Sequence, residues 1–242
     1  WRAPTDNDFG NRMGILCNVW RTAGQNKEFK GMNVERKDGA VTLTSIYYLR
    51  DVASDYTVKY TVYADGRVEV NGSWKAGNIA LPEIPRFGMQ MTLAQEFDQF
   101  SWYGRGPWEN YSDRNTASFI GKYTSTVDEQ YVAYIRPQEN GNKTDVRWLT
   151  LTNKEGFGLR IDGLQPLSVS ALRNYPEDFD AGLTKSQRHI NDINPRKAVV
   201  LHVDLAQRGV GGDNSWGMYP HEPYLLKAKE YTYGYVISPV AK

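Results

Sequence analysis

Short apolar runs with a period of two, punctuated by aspartate-glycine pairs, constrain this chain more than any other feature. Tyr56, Val58, Tyr60 and Val62 alternate with Thr57, Lys59, Thr61 and Tyr63. Side chains point to opposite faces of a strand in turn, so this spacing predicts one buried and one wet face. Asp38-Gly39 stands between residues 33–36 and 41–49, and Asp65-Gly66 leads into residues 68–70. Such a pair tolerates the positive φ of a tight hairpin turn. Further strands are expected over residues 88–93, 167–172, 199–205 and 231–237. A hairpin is expected from 146–152 to 157–161, closed by a four-residue loop. Residues 14–24 read as one short helix carrying Ile15, Val19 and Trp20, and residues 73–80 read as a polar loop. Strands without interleaved helices predict an antiparallel all-β sandwich, and 242 residues suit one such domain, 1–242.

Composition narrows the partners. A net charge of +1 with no basic cluster argues against nucleic acid or an anionic membrane. No apolar run approaches the ~20 residues of a membrane-spanning helix. The single Cys17 excludes an internal disulfide and a cysteine-based zinc site. His189, His202 and His221 lack a metal-binding spacing such as H-E-x-x-H. Neither observation decides between a cytoplasmic and a periplasmic location. The 7 tryptophans and 16 tyrosines suit both a β core and contact with carbohydrate. The chain opens at Trp1 without a methionine and reads as a fragment of something longer.

Two stretches break the strand pattern conspicuously. Residues 208–217 read R-G-V-G-G-D-N-S-W-G. Gly209, Gly211 and Gly212 allow positive φ or close backbone approach, which predicts a sharp and specific turn. Asp213, Asn214 and Ser215 can bond their own backbone and fix it. Trp216 is then presented either as a plug under the loop or as a flat platform for a sugar ring. Residues 102–114 read W-Y-G-R-G-P-W-E-N-Y-S-D-R. Gly104, Gly106 and Pro107 predict a break in regular structure. Glu109 and Asp113 among rings resemble the paired carboxylates of glycosidic chemistry, but an arginine–carboxylate network pinning a loop is the favoured reading. At the start, W-R-A-P-T-D-N-D-F-G (1–10) reads as a structured loop whose Asp6, Asn7 and Asp8 could serve a turn, a cation or sugar hydroxyls.

With R-P-Q-E-N-G at 136–141, these motifs together resemble the C-terminal small-chain domain of the large β-galactosidases of glycoside hydrolase family two. The resemblance implies a large antiparallel supersandwich, similar to galactose mutarotase. It implies that the acid/base and nucleophilic glutamates, and the magnesium and sodium ligands, lie on other domains of a multidomain, oligomeric parent. No catalytic residue, metal ligand or cofactor is therefore expected in these residues, and the isolated domain is expected to be inactive. The site residues it implies are Trp216 for sugar stacking, with Asp213 and Asn214 beside it. Asn7, Asp8 and Gly10 fall in a mobile loop whose hinge matches Gly10. The partners implied are a galactoside and its aglycone sugar, and an upstream barrel in the same chain. Asn214 stands where the family commonly has aspartate, a change between two turn-capping residues. Two other classes compete: a free-standing aldose mutarotase, which would draw on His189 or His202, and a carbohydrate-binding module with several ring platforms.

Overall fold

The computed structural model describes residues 1–184, 188–214 and 216–241. Three short helices, α1 (Asp6–Gly10), α2 (Met13–Leu16) and α3 (Trp20–Ala23), precede the first four strands. Those are β1 (Lys27–Lys37), β2 (Ala40–Leu49), β3 (Ser54–Val62) and β4 (Val68–Lys75). There follow β5 (Arg86–Ala94), β6 (Gln99–Gly106), β7 (Phe119–Thr126), β8 (Lys143–Thr152) and β9 (Gly158–Leu172). Helix α4 (Pro176–Phe179), β10 (Ala198–Gln207) and β11 (Glu230–Val240) complete the order.

All strand pairs among the described residues are antiparallel. The main path runs β1-β2-β3-β4-β11-β9-β8-β6-β7, and β10 links β9 to β5. The first turn forms as the sequence requires, with Asp38 at φ 52° and Gly39 at φ 77° closing β1 onto β2. Strand β9 is the pivot. Its first half pairs with β11 and its last residues pair with β10. The β5–β10 ribbon thereby folds over β4 and β11. Phe87 meets Trp74, Tyr231 and Tyr233 at ring separations of 5.4–6.4 Å, and Tyr233 donates its hydroxyl hydrogen to Val203 O. The core between the layers holds Trp74, Phe100, Trp102, Leu149, Leu151, Ile161, Val169 and Leu201, each 1% exposed or less.

Five local expectations are corrected. Residues 6–10 form a helical turn rather than a loop. Thr5 accepts from Asp8 N while the Asp8 carboxylate accepts from Thr5 N, a reciprocal cap that starts the helix at Asp6. The helix expected over 14–24 is two separate turns, since Cys17, Asn18 and Val19 are all weak helix formers. Residues 73–75 extend β4 instead of opening a loop, and 167–172 continue β9 instead of forming a separate strand. Gly104 and Gly106 lie inside β6 rather than breaking it. A Cβ on Gly104 would stand 2.8 Å from Val146 Cα, and one on Gly106 would stand 2.8 Å from Tyr123, so these glycines admit close neighbours.

Candidate functional site

The first residues of the chain and the segment that follows β10 meet over one buried carboxylate. Asp8, Arg2 and Arg208 all have fully buried side chains. Arg2 Nη2 donates to both Asp8 oxygens at 2.9 and 3.0 Å, and Arg208 Nη1 reaches Asp8 Oδ1 at 3.0 Å. Arg208 Nε also donates to Glu83 at 3.3 Å, so two arginines face two carboxylates. Arg2 further donates to the carbonyls of Arg208 and Gly209, the latter at 3.0 Å. Asn7 Nδ2 donates to Val210 O at 2.9 Å. An unpaired charge in such a place would be expensive, so the cluster holds only as a set. It fixes where residues 208–210 leave the sandwich.

From that anchor the glycine-rich loop rises to the surface. Gly209, Gly211 and Gly212 do not adopt positive φ. Their value is room. A Cβ on Gly209 would lie 2.6 Å from Asp113 Oδ2, and one on Gly212 would lie 2.7 Å from Met218 O. Asp113 accepts from Gly211 N at 2.7 Å and so ties residues 102–114 to this loop. Asn214 Oδ1 accepts from Trp216 N at 3.1 Å and Met218 N at 3.3 Å, fixing the turn as its residue type suggests. Asp213 instead accepts from His221 Nε2 at 2.8 Å, with both side chains exposed. Ser215 lies outside the described residues. The Trp216 side of the loop packs on the first motif: a Cβ on Gly10 would stand 3.0 Å from Trp216 C. Trp216 itself is 78% exposed. It is not a core plug.

The remaining motifs brace this arrangement. The Glu109 carboxylate accepts from Gly141 N at 2.7 Å, from Arg114 Nη2 at 2.6 Å and from the Tyr134 hydroxyl. Asn110 accepts from Thr144 N at 2.9 Å. Arg136 pairs with Asp6 at 2.9 Å and lies over the Phe9 ring. Lys143, pushed down to about 8 by burial against the opposing pull of Glu109, donates to Gly141 O and sits 5.3 Å from the Trp102 ring centre. Glu109 thus sits in the arginine–carboxylate network expected of it, whereas Asp113 pins its loop through the Gly211 main-chain N–H instead. Of the tryptophans in these motifs, Trp102 is buried in the core, while Trp108 is 73% exposed. Trp102 is thus no part of any ring platform.

Sequence reasoning missed Arg2, Arg208 and Arg136, and also Gln138, whose Oε1 accepts from Asp6 N at 3.0 Å. The only signal was an arginine in each motif that also carries a carboxylate or glycines. Of the two histidines a mutarotase would draw on, His189 is exposed, and His202 is buried, with Nδ1 engaged by Ser170 at 3.3 Å and Nε2 by Gln90 at 3.0 Å. Burial, reinforced by Arg86, holds it well below the ordinary imidazole range. Among the described residues, no three His, Cys, Asp or Glu side chains are grouped as a metal ion would need.

Four glycine- and aromatic-rich segments, far apart in the chain, thus converge on one surface of an antiparallel β-sandwich and hold an indole outward there. That class is a β domain with a loop-borne aromatic display. Its family is shown by comparison: residues 1–237 match the model of the β-galactosidase small chain, and the chain belongs to that family. A β-galactosidase of Priestia megaterium is 38% identical over 241 residues, covering 99% of this chain and 23% of the relative. One from Streptococcus thermophilus is 32% identical over 243 residues, again 99% of this chain and 23% of the relative. The chain therefore spans about a quarter of the length of the curated relatives it matches. Among solved structures, a GalM/aldose epimerase homologue from C. elegans is similar over 86% of this chain and 68% of its own, at 12% identity and a TM-score of 0.41.

Proposed function

We propose that this chain is a non-catalytic domain of a retaining β-galactosidase and completes the substrate pocket of the parent with the face of Trp216. The observation that carries the reading is the 78% exposure of an indole on a loop anchored by a fully buried ion cluster. An exposed ring on a mobile loop would lose ordering entropy on meeting a sugar; one on a braced loop loses less. Asp213 and Asn214 shape the loop beside it. Gly10 packs on the Trp216 main chain, so a hinge at Gly10 would move the chain that follows it against the indole-bearing loop. Asn7 and Asp8, tied to Val210 and to the buried arginines, form the fixed side of that hinge and couple it to sugar binding.

Bond cleavage with retention needs two carboxyl groups about 5–5.5 Å apart. Glu109 and Asp113 are committed to holding loops. The acid/base and nucleophile therefore belong to other domains of the parent, with its magnesium and sodium. The engagement of both His202 nitrogens leaves no free imidazole acid for a mutarotase at that position.

The test is Trp216→Ala in the full-length enzyme, assayed on a chromogenic β-galactoside with and without added glucose as acceptor. Ring stacking of about 0.5–1.5 kcal/mol corresponds to an acceptor KM raised roughly 2- to 12-fold, with hydrolysis of the small galactoside little changed. An unchanged acceptor profile would refute the role. The 242-residue chain alone should turn over neither the galactoside nor α-galactose in a polarimeter; rapid anomerisation would favour the mutarotase reading.

A further inference from the structure

Strand β5 has one satisfied edge and one open edge. Its partner is β10, and among the described residues nothing pairs with the other side. A cavity of about 720 Å³ lies there. Successive side chains of a strand face opposite ways, so a cavity over one face would meet every second residue. This one is lined by six consecutive residues, 86–91. Six in a row means that the cavity wraps from one face of β5 to the other past its main chain, and on one face it also meets His202 and Asp204 of β10. Trp20, Tyr47, Tyr56, Val70, Trp74 and Tyr235 give the far wall its apolar and aromatic stretch, while Arg21, Lys27 and Glu177 bring charges to the lining.

The two other sheet edges are protected in the usual manner and β5 is not. Strand β1 carries Lys27, Glu28, Lys30, Glu35, Arg36 and Lys37, and β7 carries Lys122. Charges of this kind deter a further strand from adding. Residues 87–94 of β5 read F-G-M-Q-M-T-L-A, without a charge or a proline. Arg86, the one ionic residue of β5, is consumed in buried pairs with Glu139 at 2.8 Å and Asp204 at 3.0 Å. The single irregularity in its ladder lies at that same end, opposite Asp204 and Ala206. An eight-residue uncharged edge, ~27 Å long, beside a largely apolar groove is an aggregation hazard unless something covers it.

We propose that the open edge of β5 receives an extended segment of the same full-length polypeptide, from outside these 242 residues, as an added β-strand. The relatives are about four times as long as this chain, so ample sequence exists to supply it in cis. A tethered strand also avoids the concentration dependence of a separate partner. Main-chain bonds to β5 give the affinity of such strand addition, and side-chain pockets give the register. The segment alternates. Its apolar side faces Met89 and Met91, near the Tyr235 hydroxyl that donates to Met89 Sδ at 3.3 Å. Its polar side runs beside Gln90 and Thr92, both exposed.

Hydrogen exchange with mass spectrometry on the full-length enzyme tests this. All amides of residues 87–93 should exchange at least 100-fold more slowly than those of surface loops. Exchange of alternate amides at loop rates overturns the proposal, because β10 bonds only every second one. A photoreactive benzoylphenylalanine at position 92 then identifies the occupant. A cross-link to residues of the same polypeptide outside this chain supports the assignment. No cross-link, or one to a second copy, overturns it, as does protection that develops only when galactose or lactose is added.

Discussion

Asp8→Asn should be among the most damaging conservative changes in this chain. The substitution keeps size and one acceptor oxygen, so cavity effects are absent and the charge alone is tested. In the folded protein it leaves Arg2 and Arg208, both fully buried, facing only Glu83 at 3.3 Å from Arg208 Nε. Removing one partner of a buried pair costs about 3–5 kcal/mol, because the surviving charge stays buried and uncompensated. Glu83 and the retained Asn oxygen offset part of this, which places the expectation near 3 kcal/mol. For a domain of this size each kcal/mol moves Tm by about 2–4 °C, so calorimetry should record a fall of roughly 6–12 °C. Asp6→Asn is the internal control. Its pair with Arg136 is half exposed on the carboxylate side, at 47%, and such pairs contribute about 0–1 kcal/mol. The two aspartates stand two residues apart in one helical turn, so they share backbone propensity and differ in burial. Equal effects from the two substitutions, or a loss below 1 kcal/mol at Asp8, would refute the claim that this carboxylate anchors the glycine-rich loop.

Gly209→Ala forces a Cβ to within 2.6 Å of Asp113 Oδ2 and should cost about 1–3 kcal/mol by denaturant titration, whereas Gly31→Ala, with open space around it, should cost little. Trp102→Ala should lose about 3–5 kcal/mol and Trp108→Ala less than about 0.5, the contrast between 1% and 73% exposure. Asp204 is pushed up to about 7 by burial, with Arg86 opposing. The folded state then binds a proton that the unfolded chain has lost, so stability is full below pH ~4 and falls as the pH rises through 7, by up to about 4 kcal/mol. Urea titrations across pH 4–8 should show this decline in the parent chain and a flatter profile in Asp204→Asn.

Strand positions and Asp-Gly turns were legible because they are local: the strand over residues 54–62 and the φ values of Asp38 and Gly39 need no knowledge of distant residues, whereas the buried face expected there holds at Val58 and fades at Tyr60 and Val62, both 37% exposed. What the sequence hid is long-range. Arg2 and Arg208 meet Asp8 across 206 residues of separation between the arginines, and nothing near Asp8 announces either. Glycines misled in the same way. Gly104, Gly106 and Gly209 read as turn formers, yet their role is to admit Val146, Tyr123 and Asp113, neighbours that only the fold supplies. Tryptophan shows the limit most sharply, since Trp102 and Trp216 both stand beside glycines in motif-like stretches and end at 1% and 78% exposure.

The same facts say where function should be sought. The polar side chains of the four motifs are largely spent on one another: Asp8 on two arginines, Glu109 on Gly141 and Arg114, Asp113 on Gly211, Asn110 on Thr144, Asn214 on the turn it closes. A carboxylate committed to three donors in the resting fold is poorly placed to shuttle protons. A residue that structure does not consume, held outward at the point where four segments meet, is where a ligand would act. Trp216 fits that description, and its indole offers a face and one N–H rather than an acid. The geometry therefore favours recognition over catalysis on this surface.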